Sequence, residues 1–273
     1  MLETIRDFLS FEFIQRALLV GILVSLCAAL LGVTLVLKRY SMIGDGLSHV
    51  GFGSLSVAMA LNLAPLQVSV PVVVIAAFLL LRISENGKIK GDAAIALISS
   101  SSIAIGVIAT ALKNGMNTDV MSYMFGSALA ITKDDARISI ALSVAVLFLF
   151  IFFYNKIFAI TFDEDFAKAS GTNSKAFNMM IAFLTAITIV IGMRIMGTML
   201  ISSLIIFPAL SSMRLFKNFK AVIISSAIIS VVCFIIGIFA SFINEIPAGA
   251  SVVVSNLIVF IICSMLGFIV RKR

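Results

Sequence analysis

The chain has 273 residues, of which 61% are hydrophobic and only 12% charged, and its mean hydropathy is +1.19. A soluble domain cannot bury that much apolar surface, so the composition excludes one and indicates an integral membrane protein. The net charge of +7 is no argument for nucleic acid: the basic residues fall mostly in short loops between apolar runs, and none form a cluster interleaved with stacking aromatics.

A membrane-embedded backbone must form helices or a closed barrel. The apolar runs are about twenty residues long, which suits helices rather than alternating barrel strands of roughly ten. In chain order they cover 14–37, 44–63, 66–83, 92–112, 136–158, 174–194, 196–213, 219–243 and 250–270. They predict an all-α, polytopic bundle of nine spans, with eight the alternative if 66–83 or 196–213 does not cross. No internal repeat, low-complexity tract or linker divides the chain, so residues 1–273 read as a single transmembrane domain. The apolar stretch 17–37 is longer than a signal-peptide core and has no evident cleavage site, so it reads as a retained span. Cys27, Cys233 and Cys263 all fall inside apolar runs without CxxC spacing and read as small core hydrophobes.

Orientation follows from the basic residues. If the loop after the first run is cytoplasmic, the inside loops and the C-terminus hold 14 of the 20 Lys and Arg, leaving 6 outside. That asymmetry predicts a cytoplasmic C-terminus and an external N-terminus.

The first chemically loaded segment is "SMIGDGLSHVGFG", residues 41–53. It carries Asp45 and the only histidine of the chain, His49. On a helix these two residues share a face, one turn apart. A carboxylate and an imidazole at that spacing can grip one divalent first-row cation. Alternatively, Asp45 caps a helix and His49 is a satisfied buried histidine. Ionisable groups are expensive in a membrane and mark function there, which favours the first reading. One pair gives too few ligands for a closed site. Two copies meeting on a twofold axis would supply two carboxylates and two imidazoles, which suggests a homodimer with the ion path on its axis.

Residues 113–135 mix apolar and polar side chains and predict a short helix folded back beside the bundle. "TFDEDFAKASG", residues 161–171, predicts one short amphipathic helix. Asp163 suits its N-cap, Glu164 and Asp165 its first turn, and Gly171 its stop, with Phe162, Phe166 and Ala169 near one face. It reads either as a solvated interfacial helix or as a docking helix whose Phe anchors enter a groove on a soluble partner. In "GTMLISSLIIFPAL", Gly197 and Pro208 allow close packing and bending. In "NEIPAGASV", Pro247 and Gly249 break the chain before the last run. A structural role is the simpler reading of both. "ENGKIK" lacks the first Gly and the Ser/Thr of a phosphate-binding loop, and the chain has neither a nucleophile elbow nor H-E-x-x-H. The chain is therefore expected not to hydrolyse ATP by itself in that manner and reads as a transport subunit rather than an enzyme.

Taken in order, five blocks resemble the permease subunits of the zinc, manganese and iron ABC importers, over nearly the whole chain. They are "LVLKRYSMIGDGLSH", with a Gly-Asp-x-x-Ser-His core; "MFGSAL"; "ITFDEDFAKASG", with a Phe-Asp-x-x-Phe-Ala-x-x-x-Gly pattern; "MGTMLISSLIIFPA"; and "IPAGASVVV". Gly46 stands where the family often has Ala. The resemblance implies a permease of a bacterial cytoplasmic membrane that works as two copies. A separate ATPase dimer would drive it, and an extracytoplasmic metal-binding protein would feed it. It implies that Asp45 and His49 meet the transported divalent ion and that no cofactor is permanently bound. It also implies that Phe162, Asp163, Glu164, Asp165, Phe166, Ala167 and Gly171 belong to the segment that couples to the ATPase. A proton-driven secondary metal transporter and an ABC importer of a metal chelate or vitamin are the rival readings.

Overall fold

The structure is a computed structural model and describes residues 11–86, 91–112 and 132–271. Its elements are all helices: α1 (Glu12–Leu37), α2 (Ser41–Ala60), α3 (Pro65–Asn86), α4 (Gly91–Leu112), α5 (Lys133–Phe152), α6 (Tyr154–Phe162), α7 (Glu164–Ala169), α8 (Ser174–Met196), α9 (Thr198–Leu215), α10 (Phe219–Asn244) and α11 (Ala248–Arg271). No strand occurs among the described residues. Residues 113–131, which carry most of the predicted folded-back helix and the "MFGSAL" block, lie outside them.

Each of the nine apolar runs contains one helix of at least 18 residues, and eight of these helices are long and apolar enough to cross a membrane. The exception is neither of the two runs in question, because 66–83 and 196–213 both form such helices. It is α2, the helix of Asp45 and His49. Of its 20 residues, 13 are buried, so neighbouring helices shield a segment too polar to face lipid. α2 runs parallel to α4: Gly46 faces Ile95 and, seven residues on, Gly53 faces Ser102. It therefore traverses the bundle in the same direction as a membrane-length helix.

Lipid tails are as apolar as leucine, so small residues and interhelical hydrogen bonds take over much of what a hydrophobic core does in water. α9 sits at the centre, packed on α1, α2, α8, α10 and α11. A Cβ on Gly32 of α1 would strike the Ile205 carbonyl oxygen of α9, so that crossing needs glycine. Ser230 of α10 donates to the Ser25 carbonyl of α1 at 3.0 Å, and Cys27 donates to the Ser143 carbonyl of α5 at 3.4 Å. Cys27, Cys233 and Cys263 are all free and buried.

Contacts at the helix ends show which ends lie on a common side of the bundle. Glu12, near the N-terminus, lies 3.9 Å from Lys133, which opens α5. Lys38, closing α1, pairs with Glu164 of α7 at 3.5 Å. At Gly267, near the end of α11, an added Cβ would stand 2.8 Å from the Arg214 carbonyl oxygen near the end of α9.

Two expectations are corrected. The run 136–158 is broken at Phe153, whose ψ of 14° leaves the helix and separates α5 from α6. Residues 161–171 are not one amphipathic helix. The chain extends at Asp163 (φ −147°, ψ 94°), so Phe162 ends α6 while Phe166 sits on the six-residue α7. The Phe162 ring packs on Phe219, with centroids 5.5 Å apart, instead of lining up with Phe166. Ala169 is exposed, and Ala167 is the α7 residue that faces the bundle.

Candidate functional site

α1 ends in a Schellman turn. Arg39 takes the left-handed conformation (φ 61°), its N–H bonds to the Val36 carbonyl, and the Tyr40 N–H bonds to the Leu35 carbonyl at 2.8 Å. α2 begins at the next residue, Ser41. Asp45 and His49 then fall one turn apart, with Oδ2 and Nε2 separated by 3.5 Å. Both are partly exposed, the Asp45 side chain at 38% and the His49 side chain at 28%.

Two neighbours fix Asp45. Ser202 of α9 donates its hydroxyl to Oδ1 at 3.2 Å. Ser48 donates to the Asp45 main-chain carbonyl at 2.7 Å. The glycines on either side of Asp45 let two helices close in: a Cβ on Gly44 would stand 3.1 Å from Ile205 of α9, and one on Gly46 would stand 2.8 Å from Ile95 of α4. The carboxylate thus projects between α9 and α4 from a backbone both helices can approach.

Asp45 and His49 open onto a cavity of about 500 Å³ between α2 and α4, lined also by Asp92, Ser99 and Ser100. One wall therefore offers a carboxylate and an imidazole, and the other a carboxylate and two hydroxyls. All are hard or borderline donors suited to a divalent cation. Among the described residues, no group of three or more His, Cys, Asp or Glu side chains is placed to hold a metal ion. The described residues of one copy therefore bring no closed set of metal ligands together here. Asp92 and Ser202 were not singled out in the sequence. Asp92 is the one acidic residue at the start of its apolar run, but nothing in the sequence pairs that run with α2.

The second candidate segment builds from Asp163. Its carboxylate accepts the Phe166 N–H at 2.8 Å and caps α7, with Glu164 and Asp165 in the first turn. Gly171 closes the helix as expected: at φ 81° it completes a Schellman turn in which the Thr172 N–H bonds to the Ala167 carbonyl. Ala167 is fully buried, whereas Phe166 is 67% exposed. Burial alone would raise the Glu164 carboxyl. Hydrogen bonds from Lys168 and Asn178, with the charges of Lys38 and Lys168, outweigh that and hold it below its ordinary value of 4.5. Lys168 is raised in turn, chiefly by its hydrogen bond to Glu164.

The remaining candidates sit at breaks. Gly197 (φ 84°) is buried between α8 and α9. Pro208 is buried within α9. The Pro247 carbonyl accepts the Ser251 N–H at 3.1 Å at the start of α11, and Gly249 is buried in that turn. None of these four lines the cavity onto which Asp45 and His49 open.

A bundle of membrane-length helices, with an ionisable pair on its one sheltered polar helix and a short capped helix at one end, defines a polytopic transport protein. The ABC 3 transport family model matches residues 10–267, and the chain belongs to that family. It is a membrane-spanning permease subunit of an ATP-binding-cassette importer, a multi-pass protein of the bacterial cytoplasmic membrane. It is 30% identical to the high-affinity zinc uptake system membrane protein ZnuB of Haemophilus influenzae over 253 residues, covering 92% of this chain and 97% of that one. It is 26% identical to the manganese import system permease protein ScaB of Streptococcus gordonii, covering 95% and 93%. Its structure matches PsaBC from Streptococcus pneumoniae, solved in complex with Fab, with a TM-score of 0.86 and 28% identity over 96% of this chain and 95% of that chain.

Proposed function

We propose that this permease moves divalent transition-metal ions, from the group zinc, manganese and iron, and that Asp45 and His49 meet the ion in transit. The observation that carries the reading is the 3.5 Å Asp45–His49 pair facing an open cavity that Asp92 and two serines also line. Its similarity to a zinc uptake membrane protein and a manganese import permease supports it. The ion is cargo, and the reading requires no resident cofactor. Because one copy offers too few ligands, a second copy completes the shell across a twofold axis. A separate ATPase dimer hydrolyses ATP and docks at α7, where Phe166 is the exposed apolar anchor. An extracytoplasmic metal-binding protein delivers the ion, and alternating access passes it inward. Binding at the shared site is modest, since an ion held tightly would not leave.

The test is uptake of zinc and manganese into proteoliposomes. The permease with its ATPase and binding protein should import metal only when ATP is supplied. Metal movement by the permease alone down a proton gradient would overturn the reading.

A further inference from the structure

Lys38 ends α1 with its side chain folded inward to 9% exposure. A lysine at a helix end normally snorkels toward water, as the exposed Arg39 beside it does. The Lys38 ammonium instead donates to the Asn178 side chain of α8 and lies 3.5 Å from Glu164 Oε2 of α7. Asn178 donates to the same Glu164 oxygen at 3.3 Å, and Ser174 donates to the Glu164 main-chain carbonyl at 3.4 Å. Three elements therefore converge on one buried cation. An ion pair with one partner a third exposed adds little stability, and apolar side chains often hold such a junction as well. Stability alone therefore does not account for it.

Position suggests what does. Only Arg39 and Tyr40 separate Lys38 from α2, and both are bonded back onto α1. Asp45 is the fifth residue of α2, about 6 Å along its axis. The α7 carboxylate is thus fastened to the corner from which the Asp45–His49 helix starts.

Resting on the reading of α7 as the ATPase-coupling helix, we propose that the Lys38–Glu164 contact links displacement of α7 to α2, which makes Lys38 a positioning residue of transport. Docked α7 carries Glu164 with it. Through the pair it pulls the α1–α2 corner along.

The test uses the complete transporter in proteoliposomes, with metal uptake and ATP hydrolysis measured on the same assembled complexes. Lys38→Met should lower ions imported per ATP about tenfold while the co-purified ATPase keeps its hydrolysis. Lys38→Arg should recover most of that loss. Glu164→Gln, on the wetter side of the pair, should reduce the same ratio, and the double variant should be no worse than either single. An unchanged ratio, a double variant equal to the product of the singles, or parallel loss of uptake and hydrolysis would each overturn the proposal. Failure of the underlying reading looks different: Phe166→Asp on α7 would leave ATPase co-purification and ATP-driven uptake at wild-type levels.

Discussion

Asp45 of α2 and Ser202 of α9 lie 157 positions apart in sequence and share a 3.2 Å hydrogen bond, leaving the other Asp45 oxygen to face His49 at 3.5 Å. One carboxylate oxygen is thus held by the scaffold and the other points to the imidazole and the cavity. Ser202→Ala should leave both ionisable groups in place and weaken transport less than Asp45→Ala. The loss expected is about 1 kcal/mol of positioning, or roughly a fivefold drop in uptake. Equal losses for the two variants in a metal-uptake assay would show that Ser202 does more than orient.

Stoichiometry tests the proposed shared site. Two copies sharing one site should bind about one zinc or manganese ion, measured by calorimetry on the purified permease dimer. His49→Ala and Asp45→Ala should each abolish that binding without preventing assembly. Two independent ions per dimer would remove the shared-site geometry.

Phe162 and Phe166 should separate in their effects because they lie on different helices. Phe162→Ala removes a ring packed on Phe219 and should cost about 0.5–1.5 kcal/mol of stability, read as a lower melting temperature in detergent. Phe166→Asp changes an exposed ring and should leave the melting temperature near wild type while co-purification of the ATPase fails. Normal co-purification of the Phe166→Asp permease would dismiss α7 as the docking helix.

The Glu164 pair has a definite pH signature. Its folded value is depressed below 4.5, so its contribution is fully present above that pH and is lost as pH falls through the folded value. The side chain is about one-third exposed, so the contribution is screened and should stay below about 1 kcal/mol. The melting-temperature gap between wild type and Glu164→Gln should be constant from pH 7 to about pH 5 and close in more acid buffer. A gap that widens on acidification would contradict the assigned partners.

Much of this architecture was legible because membrane burial writes long apolar runs into sequence. Each of the nine runs became a long helix, and the Asp45–His49 spacing could be read from helical periodicity alone. What was not legible depended on neighbours. Ser202 is one of two adjacent serines in an apolar run, and no local pattern tells which faces α2. Lys38 reads as an orientation charge, since only the fold shows it turned inward. Asp163 was legible as a cap, but a cap also ends what precedes it. The extended backbone there placed Phe162 and Phe166 on different helices.

The three cysteines, buried as small apolar residues, leave no native thiol exposed to water-soluble reagents. The wild-type chain is therefore already a silent background for labelling. A single cysteine introduced at Lys133 should react with an impermeant maleimide added to intact cells, whereas one at Ser170 should react only after the membrane is opened, and the reverse pattern would invert the topology.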